Sequence, residues 1–365
     1  MLNTLNFYQK LCSFGLDFFC GVPDSLLKDL CACITENTLP EKNIITANEG
    51  NALAVAAGHY LATNKPAVVY LQNSGLGNLI NPLLSLMDED IYKIPALLII
   101  GWRGEPNHKD EPQHIKQGKL TLPLLEILNV KYEVLNDISQ INNAYQYMEK
   151  EQKPFAFVVQ KNTFESYTKK CREQKYNLSR EMAIKQVVSL MSKSDVIVSS
   201  TGMISRELYE NRETHEKDFL TVGSMGHASS IAFGIALSKP EKRIFCFDGD
   251  GALLMHMGAL PVISAKKLSN LKHIVFNNEA HDSVGGQPTI MGNVRLEDAL
   301  IPLGYQKVYC ATTLDEIKNI WPEFYSFNGS CFLEIKVKCG SRADLGRPKE
   351  KPIENKIAFM NFLRK

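Results

Sequence analysis

The sequence predicts an α/β protein that contains two parallel sheets. Short apolar runs alternate with helical stretches along its 365 residues, and the spacing between the runs is long enough for crossover helices. A polar and charged stretch, Asn162 to Asn177, separates two halves that share this alternation. We therefore expect a first domain at residues 1–165, a linker at 166–179 and a second domain at 180–365.

The individual elements follow from apolar runs for strands and from longer periodic stretches for helices. In the first half, strands are predicted at Ile44-Thr46, Ala67-Leu71, Leu97-Gly101, Tyr132-Leu135 and Phe155-Val159, with helices at Asn51-Leu61 and Gly77-Met87. In the second half, strands are predicted at Val196-Ser199, Phe219-Val222, Ile244-Phe247, His273-Asn277, Lys307-Val308 and Phe332-Ile335. The helices of that half are predicted at Glu181-Met191, Ser229-Leu237, Ala252-Lys267, Leu314-Tyr325 and Glu354-Leu363.

Composition excludes several classes of protein. A hydrophobic content of 44% and a charged content of 22% are typical of a globular protein, and a net charge of +1 argues against binding nucleic acid or a membrane surface through bulk charge. Met1 to Lys10 lacks the pattern of a signal peptide, and no apolar run reaches the roughly 18 residues of a membrane span. The nine cysteines lack Cys-x-x-Cys pairs, so we expect reduced thiols, no zinc site and a cytoplasmic location.

The most informative motif is Phe247-Asp248-Gly249-Asp250-Gly251-Ala252, at a predicted strand-to-helix turn. Glycines at such a turn let the backbone approach a phosphate, although Gly-Asp-Gly is also a common turn sequence. The next strand ends at Asn277-Asn278, and neighbouring parallel strands present their carboxyl ends at one edge of a sheet. Asp250 and Asn278 both offer the hard oxygen ligands that Mg²⁺ and Ca²⁺ prefer, which indicates a diphosphate bound through a divalent metal.

This combination of Gly-Asp-Gly, helix, strand and Asn-Asn resembles the fingerprint of the thiamin-diphosphate-dependent decarboxylases. The two halves are similar to the pyrimidine-binding and diphosphate-binding domains of that family. The resemblance implies thiamin diphosphate as the cofactor, with Mg²⁺ or Ca²⁺ bound by Asp250, Asn278 and the carbonyl of Ala280. The short linker leaves no room for a third domain. This two-domain plan resembles the compact branch of the family, which acts on 3-phosphonopyruvate or sulfopyruvate.

Further cofactor contacts are implied by the same resemblance. Glu49 matches the residue that hydrogen bonds the pyrimidine ring and activates the cofactor, and Met225 matches the apolar side chain that props the cofactor in a bent form. Taken alone, a Glu in the first turn of a helix is also a partner of the helix dipole, and Met225 could be an ordinary core residue. The remaining contacts are expected from backbone or small side chains, at Thr201, Gly202, Gly223, Gly249, Gly251, Ala252 and Ser283.

Two unusual segments, residues 101–114 and 280–289, carry the resemblance to the compact branch. Arg103 is the first candidate for binding a phosphonate, because Arg makes bidentate contacts to such oxyanions, and Lys109 is a weaker one. Either could instead be a surface charge. Gln113, Ser74 and Gln287 are further substrate candidates, and Asp110, His114 and His281 are candidates for proton transfer to the product carbon.

The expected reaction is decarboxylation of 3-phosphonopyruvate to phosphonoacetaldehyde and carbon dioxide, in the biosynthesis of phosphonates such as 2-aminoethylphosphonate. The resemblance also implies a homo-oligomer with active sites at subunit interfaces. Three alternatives remain open at this point: decarboxylation of sulfopyruvate, a carboligase, and a cofactor-binding subunit without catalysis.

Overall fold

The structure is a computed structural model that describes residues 1–168 and 173–365. The chain divides into two compact units, Met1–Cys171 and Arg172–Lys365, and each contains one six-stranded parallel sheet with helices packed against it. The predicted α/β fold class with two parallel sheets is confirmed. Within the predicted linker, Lys169-Lys170-Cys171-Arg172 lie outside the described residues.

The first unit is a parallel sheet in the strand order β2-β1-β3-β4-β6-β5. Its elements are α1 (Thr4–Ser13), β1 (Phe19–Gly21), α2 (Lys28–Asn37), β2 (Asn43–Ile45), α3 (Glu49–Thr63), β3 (Ala67–Gln72), α4 (Leu76–Pro82), β4 (Ala96–Gly101), α5 (Pro112–Ile127), β5 (Lys131–Val134), α6 (Gln140–Glu151) and β6 (Phe155–Val159).

The sheet of this unit is covered on both faces, so its central strands are apolar throughout. In β3, Val69 and Leu71 belong to the core cluster on one face, whereas Val68 and Tyr70 belong to the cluster on the other. All six residues of β4 are buried. Continuous burial of this kind is the reason that parallel strands appear in sequence as unbroken hydrophobic runs.

The second unit contains a parallel sheet in the order β13-β14-β10-β9-β7-β8 and a small antiparallel ribbon of β11 and β12. Its elements are α7 (Arg180–Leu190), β7 (Val196–Ser199), α8 (Met203–Glu210), β8 (Asp218–Leu220), α9 (Ala228–Ser238), β9 (Ile244–Gly249), α10 (Asp250–Met255), α11 (Ala259–Ser264), β10 (Leu271–Asn277), β11 (Ala280–His281), β12 (Gln287–Pro288), α12 (Leu296–Leu300), β13 (Lys307–Ala311), α13 (Leu314–Ser326), β14 (Cys331–Lys336) and α14 (Pro352–Arg364).

The two sheets share one topology. Counted within its own unit and along its parallel strands, each sheet has the order second, first, third, fourth, sixth, fifth. In such an order the chain reverses direction across the sheet next to the first strand. Ligands of open α/β sheets bind at this point, beyond the carboxyl ends of the strands.

Several elements differ from the sequence-based expectation, and the first of these differences has a clear cause. The helix predicted at Ala252-Lys267 is two short helices, α10 and α11, because Pro261 lacks an N–H donor and is tolerated only in the first turn of a new helix. The helix predicted at Gly77-Met87 ends at Pro82 and continues as a π-type turn over Leu83–Met87.

Other elements were missed or shifted. The sequence analysis did not predict β1 or the helices α1, α2, α5, α6, α8 and α12, and the strand expected at Phe219-Val222 is β8, Asp218–Leu220. None of the helices in the described ranges has the length and apolar character that crossing a bilayer requires.

We expect the central strand β4 to limit the stability of the first unit. Leu98 is 0% exposed, so Leu98→Ala should remove buried contacts and leave a cavity that costs about 2–5 kcal/mol of unfolding free energy. Urea unfolding of the full chain measures this loss. The control Leu61→Ala, at a position that is 72% exposed, should change stability by only about 0.5 kcal/mol. Equal unfolding midpoints for the two variants would contradict the assignment of Leu98 to the core.

Candidate active site

Glu49 lies at the first position of α3, where the chain leaves β2. Asn48 caps this helix by accepting a hydrogen bond from the Asn51 backbone N–H at 3.0 Å. The Glu49 side chain is buried, and its Oε2 accepts a hydrogen bond from Asn78 Nδ2 at 2.6 Å. A Cβ on Gly75 would lie 2.2 Å from Glu49 Oε1, so this carboxylate requires a glycine beside it. The structure therefore confines Glu49 in one position at the carboxyl edge of the first sheet.

Asp24 is a buried carboxylate at the same edge that the sequence analysis missed. It follows β1 and accepts hydrogen bonds from the Leu26 backbone N–H at 2.8 Å and from Gln72 Nε2, and burial raises its pKa. Ser74 Oγ donates to Gln72 Oε1 at 2.6 Å, which links the predicted substrate residue Ser74 to Asp24 through one side chain. The available signal was an Asp directly after Pro23, where an apolar run ends.

Arg103 follows β4 and forms a two-point ion pair with Asp110. Its Nε donates to Asp110 Oδ2 at 2.8 Å, its Nη2 donates to Asp110 Oδ1, and its Nη1 donates to Ser25 Oγ at 2.8 Å. Asp110 also accepts the backbone N–H groups of Gly104 and Glu111, each at 2.7 Å. The sequence analysis had treated Arg103 and Asp110 as independent candidates.

This geometry argues against the predicted proton transfer by Asp110. Burial acts to raise its pKa, but the hydrogen bonds from Arg103 and from the backbone outweigh burial and hold the pKa far below the usual range. An ionised carboxylate at neutral pH has no proton to give. Asp110 instead fixes the guanidinium of Arg103.

The remaining candidates of the first unit lie around the start of α5. His114 and Gln113 are half-buried in its first turn, whereas Lys109 is exposed in the preceding loop. Burial lowers the pKa of His114, and the nearby charge of Arg103 lowers it further, which favours the neutral form of this imidazole. Gly104, at φ +70°, lets the loop approach the His114 carbonyl so closely that a Cβ would lie 1.9 Å from that oxygen.

In the second unit, Asp250 follows β9 and begins α10. It is buried, and its Oδ2 accepts a hydrogen bond from Thr289 Oγ1. Burial raises the pKa of Asp250 to about 7, and the carboxylate of Asp282 adds to this shift. A cation bound at Asp250 would favour its ionised form, so the residue fits a metal ligand.

Asn278 is the first residue after β10, just as Asp250 is the first residue after the neighbouring strand β9. The parallel register pairs Gly249 with Phe276, so the residues that follow β9 and β10 emerge side by side. The Asn278 side chain is buried, its Nδ2 donates to Asp282 Oδ2 at 2.7 Å, and its Oδ1 accepts the Ala280 backbone N–H at 3.1 Å. Hard oxygen donors on adjacent strand ends match the preference of Mg²⁺ and Ca²⁺.

The space around two glycines shows which other predicted site residues lie close together. A Cβ on Gly251 would lie 2.8 Å from His281 Cε1 and 3.4 Å from Met225 Cε, so these three residues are neighbours. A Cβ on Gly202, which has φ +93°, would lie 3.5 Å from Ser283 Oγ. The structure thus brings these residues to the carboxyl edge of the second sheet: Thr201, Gly202, Gly223, Met225, Gly249, Asp250, Gly251, Ala252, Asn278, Ala280, His281 and Ser283.

The β11–β12 ribbon pairs His281 with Gln287, which is buried. Burial lowers the pKa of His281 to about 4, so this imidazole is neutral at pH 7. A neutral imidazole accepts a proton more readily than it gives one. Proton transfer by His281 therefore needs a nearby negative charge that favours its protonated form.

The sequence analysis also missed a buried ion-pair network behind the predicted metal ligands. Arg180 in α7 donates to both carboxylate oxygens of Glu207, at 2.7 and 3.0 Å, and to Asp282 Oδ2 at 3.0 Å. Beneath the glycine turn, Asp248 Oδ2 lies 3.6 Å from His273 Nε2, and both side chains are buried. The only sequence signal for Asp248 and His273 was a polar residue in or beside an apolar strand.

Comparison with known proteins agrees with this arrangement. The N-terminal binding domain of thiamine pyrophosphate enzymes, whose cofactor is the same compound as thiamin diphosphate, matches residues 6–123, and the C-terminal domain matches residues 198–332. Phosphonopyruvate decarboxylase of Streptomyces viridochromogenes is 31% identical over 100% of this chain and 95% of its own length. The enzyme of the same name from Streptomyces hygroscopicus is 30% identical over 99% and 94%.

A third relative is the sulfopyruvate decarboxylase of Methanosarcina acetivorans, which is 28% identical over 90% of this chain and 89% of its own length. One domain match lies in each of the two units, and the similarity to two decarboxylases extends over nearly the whole chain. The chain therefore belongs to the thiamin-diphosphate-dependent decarboxylase family, as a carboxy-lyase.

Proposed function

We propose that this protein decarboxylates 3-phosphonopyruvate to phosphonoacetaldehyde and carbon dioxide with thiamin diphosphate and Mg²⁺, Ca²⁺ being the alternative ion. The observation that carries this proposal is end-to-end similarity to phosphonopyruvate decarboxylases in a chain that buries Glu49, Asp250 and Asn278 at sheet edges. The product would serve the biosynthesis of phosphonates such as 2-aminoethylphosphonate.

The two domains divide the cofactor between them in this proposal. Residues 1–165 bind the pyrimidine, where Glu49 hydrogen bonds a ring nitrogen, and residues 180–365 bind the diphosphate, with 166–179 as the linker. When bound, thiamin diphosphate supplies a nucleophilic carbon and a sink for the electron pair that carbon dioxide leaves behind.

Mg²⁺ in this proposal is bound by the Asp250 carboxylate, the Asn278 side-chain oxygen and the Ala280 carbonyl. The support is chemical, because these are hard oxygen donors and because Asp250 is a buried carboxylate that a cation stabilises. Met225 would pack against the cofactor as an apolar support. The diphosphate is contacted by the glycine turn and its neighbours, namely Thr201, Gly202, Gly223, Gly249, Gly251, Ala252 and Ser283.

Arg103 is the proposed contact for the phosphonate. Three of the five N–H donors of a guanidinium are engaged by Asp110 and Ser25, so the side chain is already oriented before an anion arrives. Gln113, Ser74, Gln287 and the exposed Lys109 are secondary candidates. The substrate's negative charge would raise the lowered pKa of His114 or His281, which would enable either imidazole to take up a proton for transfer to the product carbon.

Sulfopyruvate is the second candidate substrate. The Methanosarcina acetivorans relative spans 90% of this chain, so the presence of both domains on one chain does not distinguish the two substrates. A subunit without catalysis is disfavoured because Glu49 is present and buried. We further propose a cytoplasmic location, which is supported by free cysteines at every described cysteine position.

The first test is carbon dioxide release from 3-phosphonopyruvate, sulfopyruvate and pyruvate, with and without thiamin diphosphate and Mg²⁺. We expect release from 3-phosphonopyruvate that requires both cofactors, because the phosphonate carries more negative charge for Arg103 than a sulfonate does. Faster release from sulfopyruvate would overturn the substrate assignment and retain the decarboxylase. No release from any of the three acids, with the cofactor bound, would favour the carboligase or the subunit without catalysis.

Glu49→Gln should lower kcat by about 10²–10⁴-fold, because the amide cannot exchange a proton with the pyrimidine nitrogen. Thiamin diphosphate binding, measured by calorimetric titration, should persist. Glu41→Gln, which neutralises an exposed carboxylate in the same domain, is the matched control and should retain full kcat. An undiminished kcat in Glu49→Gln would exclude Glu49 from cofactor activation.

We propose a homo-oligomer in which Glu49 of one protomer and Asp250 of another complete each active site. Glu49→Gln chains and Asp250→Ala chains, each with little activity alone, should then regain part of the wild-type activity when mixed, because some sites receive two intact residues. Activity is measured after native mass spectrometry has verified the mixed oligomers. No recovery in such mixtures would place both residues in the site of a single chain.

A further inference from the structure

We propose that Asp282 is a positioning residue for the metal, because it orients the side-chain amide of Asn278 so that the oxygen, and not the nitrogen, faces the cation. Arg180 in turn holds Asp282 in place. This inference rests on the proposed function, since it concerns the same metal, but it assigns roles to two residues outside the predicted ligand set.

The need for orientation follows from the chemistry of asparagine. The two ends of its amide have nearly the same size and shape, but only the oxygen can bind Mg²⁺, and the NH₂ group is a donor that repels a cation. A rotation of the Asn278 amide by half a turn would therefore remove one ligand. Asp250, in contrast, has two equivalent oxygens and needs no such control.

Contacts at both ends of the amide specify one orientation. Asp282 Oδ2 accepts a hydrogen bond from Asn278 Nδ2 at 2.7 Å, and an ionised carboxylate can only accept. The Ala280 backbone N–H donates to Asn278 Oδ1 at 3.1 Å, and a backbone N–H can only donate. Because a carbonyl oxygen has two lone pairs, Asn278 Oδ1 retains one for the metal.

Asp282 is itself held from two directions. Arg180 Nη1 donates to its Oδ2 at 3.0 Å, and the Gly340 backbone N–H lies 3.1 and 2.9 Å from its two oxygens. Arg180 is buried, and its Nε and Nη2 groups are engaged by Glu207. Because a guanidinium is a rigid fork, Arg180 on α7 fixes the position of Asp282, and Asp282 in turn fixes the amide of Asn278.

Partners of metal ligands commonly contribute 10–100-fold to metal affinity. The competing explanation is that Asp282 only adds negative charge near the cation. Glu207 provides the matched control, since it is also a carboxylate bonded to Arg180, but its two oxygens accept from Arg180 and not from Asn278.

The experiment measures Mn²⁺ affinity of the full-length apoprotein at saturating thiamin diphosphate, with free Mn²⁺ followed by electron paramagnetic resonance. Asp282→Ala should raise the Mn²⁺ dissociation constant about 10–100-fold. Glu207→Ala should raise it much less, although each variant removes one negative charge and leaves Arg180 one carboxylate partner. Equal effects of the two variants, or no effect of Asp282→Ala, would overturn the inference.

A second substitution separates orientation from charge. Asn278→Asp replaces the amide with a carboxylate, whose two oxygens are equivalent, so its rotation cannot remove the metal ligand. This substitution should therefore recover more Mn²⁺ affinity in the Asp282→Ala background than in the Glu207→Ala background. Equal recovery in both backgrounds would show that charge alone matters.

Separate controls test whether each variant is folded and whether the proposed cofactor site exists. Thermal unfolding of each apoprotein shows whether it is folded, and the isosteric pair Asp282→Asn and Glu207→Gln replaces the alanine pair where folding is lost, with the same ranking expected. If the wild-type protein bound no Mn²⁺ in the presence of thiamin diphosphate, the proposed cofactor site would fail. Normal wild-type binding with no difference between the paired variants would overturn only the role of Asp282.

Discussion

Parallel pairing of β9 with β10 is the constraint on which the candidate metal site depends. The register sets Gly249 opposite Phe276, so Asp250 and Asn278, the first residues after β9 and β10, leave neighbouring strand ends although helices α10 and α11 separate them in sequence. Both side chains are buried, and a buried carboxylate is costly unless a charge or hydrogen bonds compensate it. Thr289 donates a hydrogen bond to Asp250, while Asp282 and the Ala280 backbone N–H bond the amide of Asn278. A divalent cation would compensate the charge of the Asp250 carboxylate.

Buried carboxyl groups also lie at the sheet edge of the first unit. Glu49 and Asp24 are both buried carboxyl groups at the carboxyl edge of the sheet, and each is bonded by a side-chain amide, from Asn78 and Gln72 respectively. Glycines next to them, such as Gly75, make the space that these carboxyl groups occupy. Such packing restricts each carboxyl group to one position. Glu49 needs a fixed position if it is to hydrogen bond a single nitrogen of the pyrimidine ring.

Ion pairs determine which roles several charged residues can have. In isolation, Arg103 and Asp110 are separate candidates for function, but their two-point contact makes Asp110 the support of Arg103 and lowers the pKa of its carboxyl group. Arg180, which has no motif around it, gains importance because it connects α7 to Asp282 beside Asn278. In both places a guanidinium gives a carboxylate a fixed position, which a flexible Lys side chain would do less well.

The sequence by itself determined the fold class, the two-part organisation and the positions of Glu49, Asp250 and Asn278. The fold class and the positions of Asp250 and Asn278 follow from local patterns, namely apolar runs that parallel sheets bury on both faces and glycine turns at strand ends. Glu49 was identified through the resemblance to the family. The tertiary structure alone decided the partners: Asp24 with Gln72, Arg103 with Asp110, and Asp282 with both Arg180 and Asn278. Two of these pairs, Asp24 with Gln72 and Asp282 with Arg180, join residues far apart in the chain. Whether a charged side chain binds a ligand or another residue depends on strand order and register, which a local pattern does not encode.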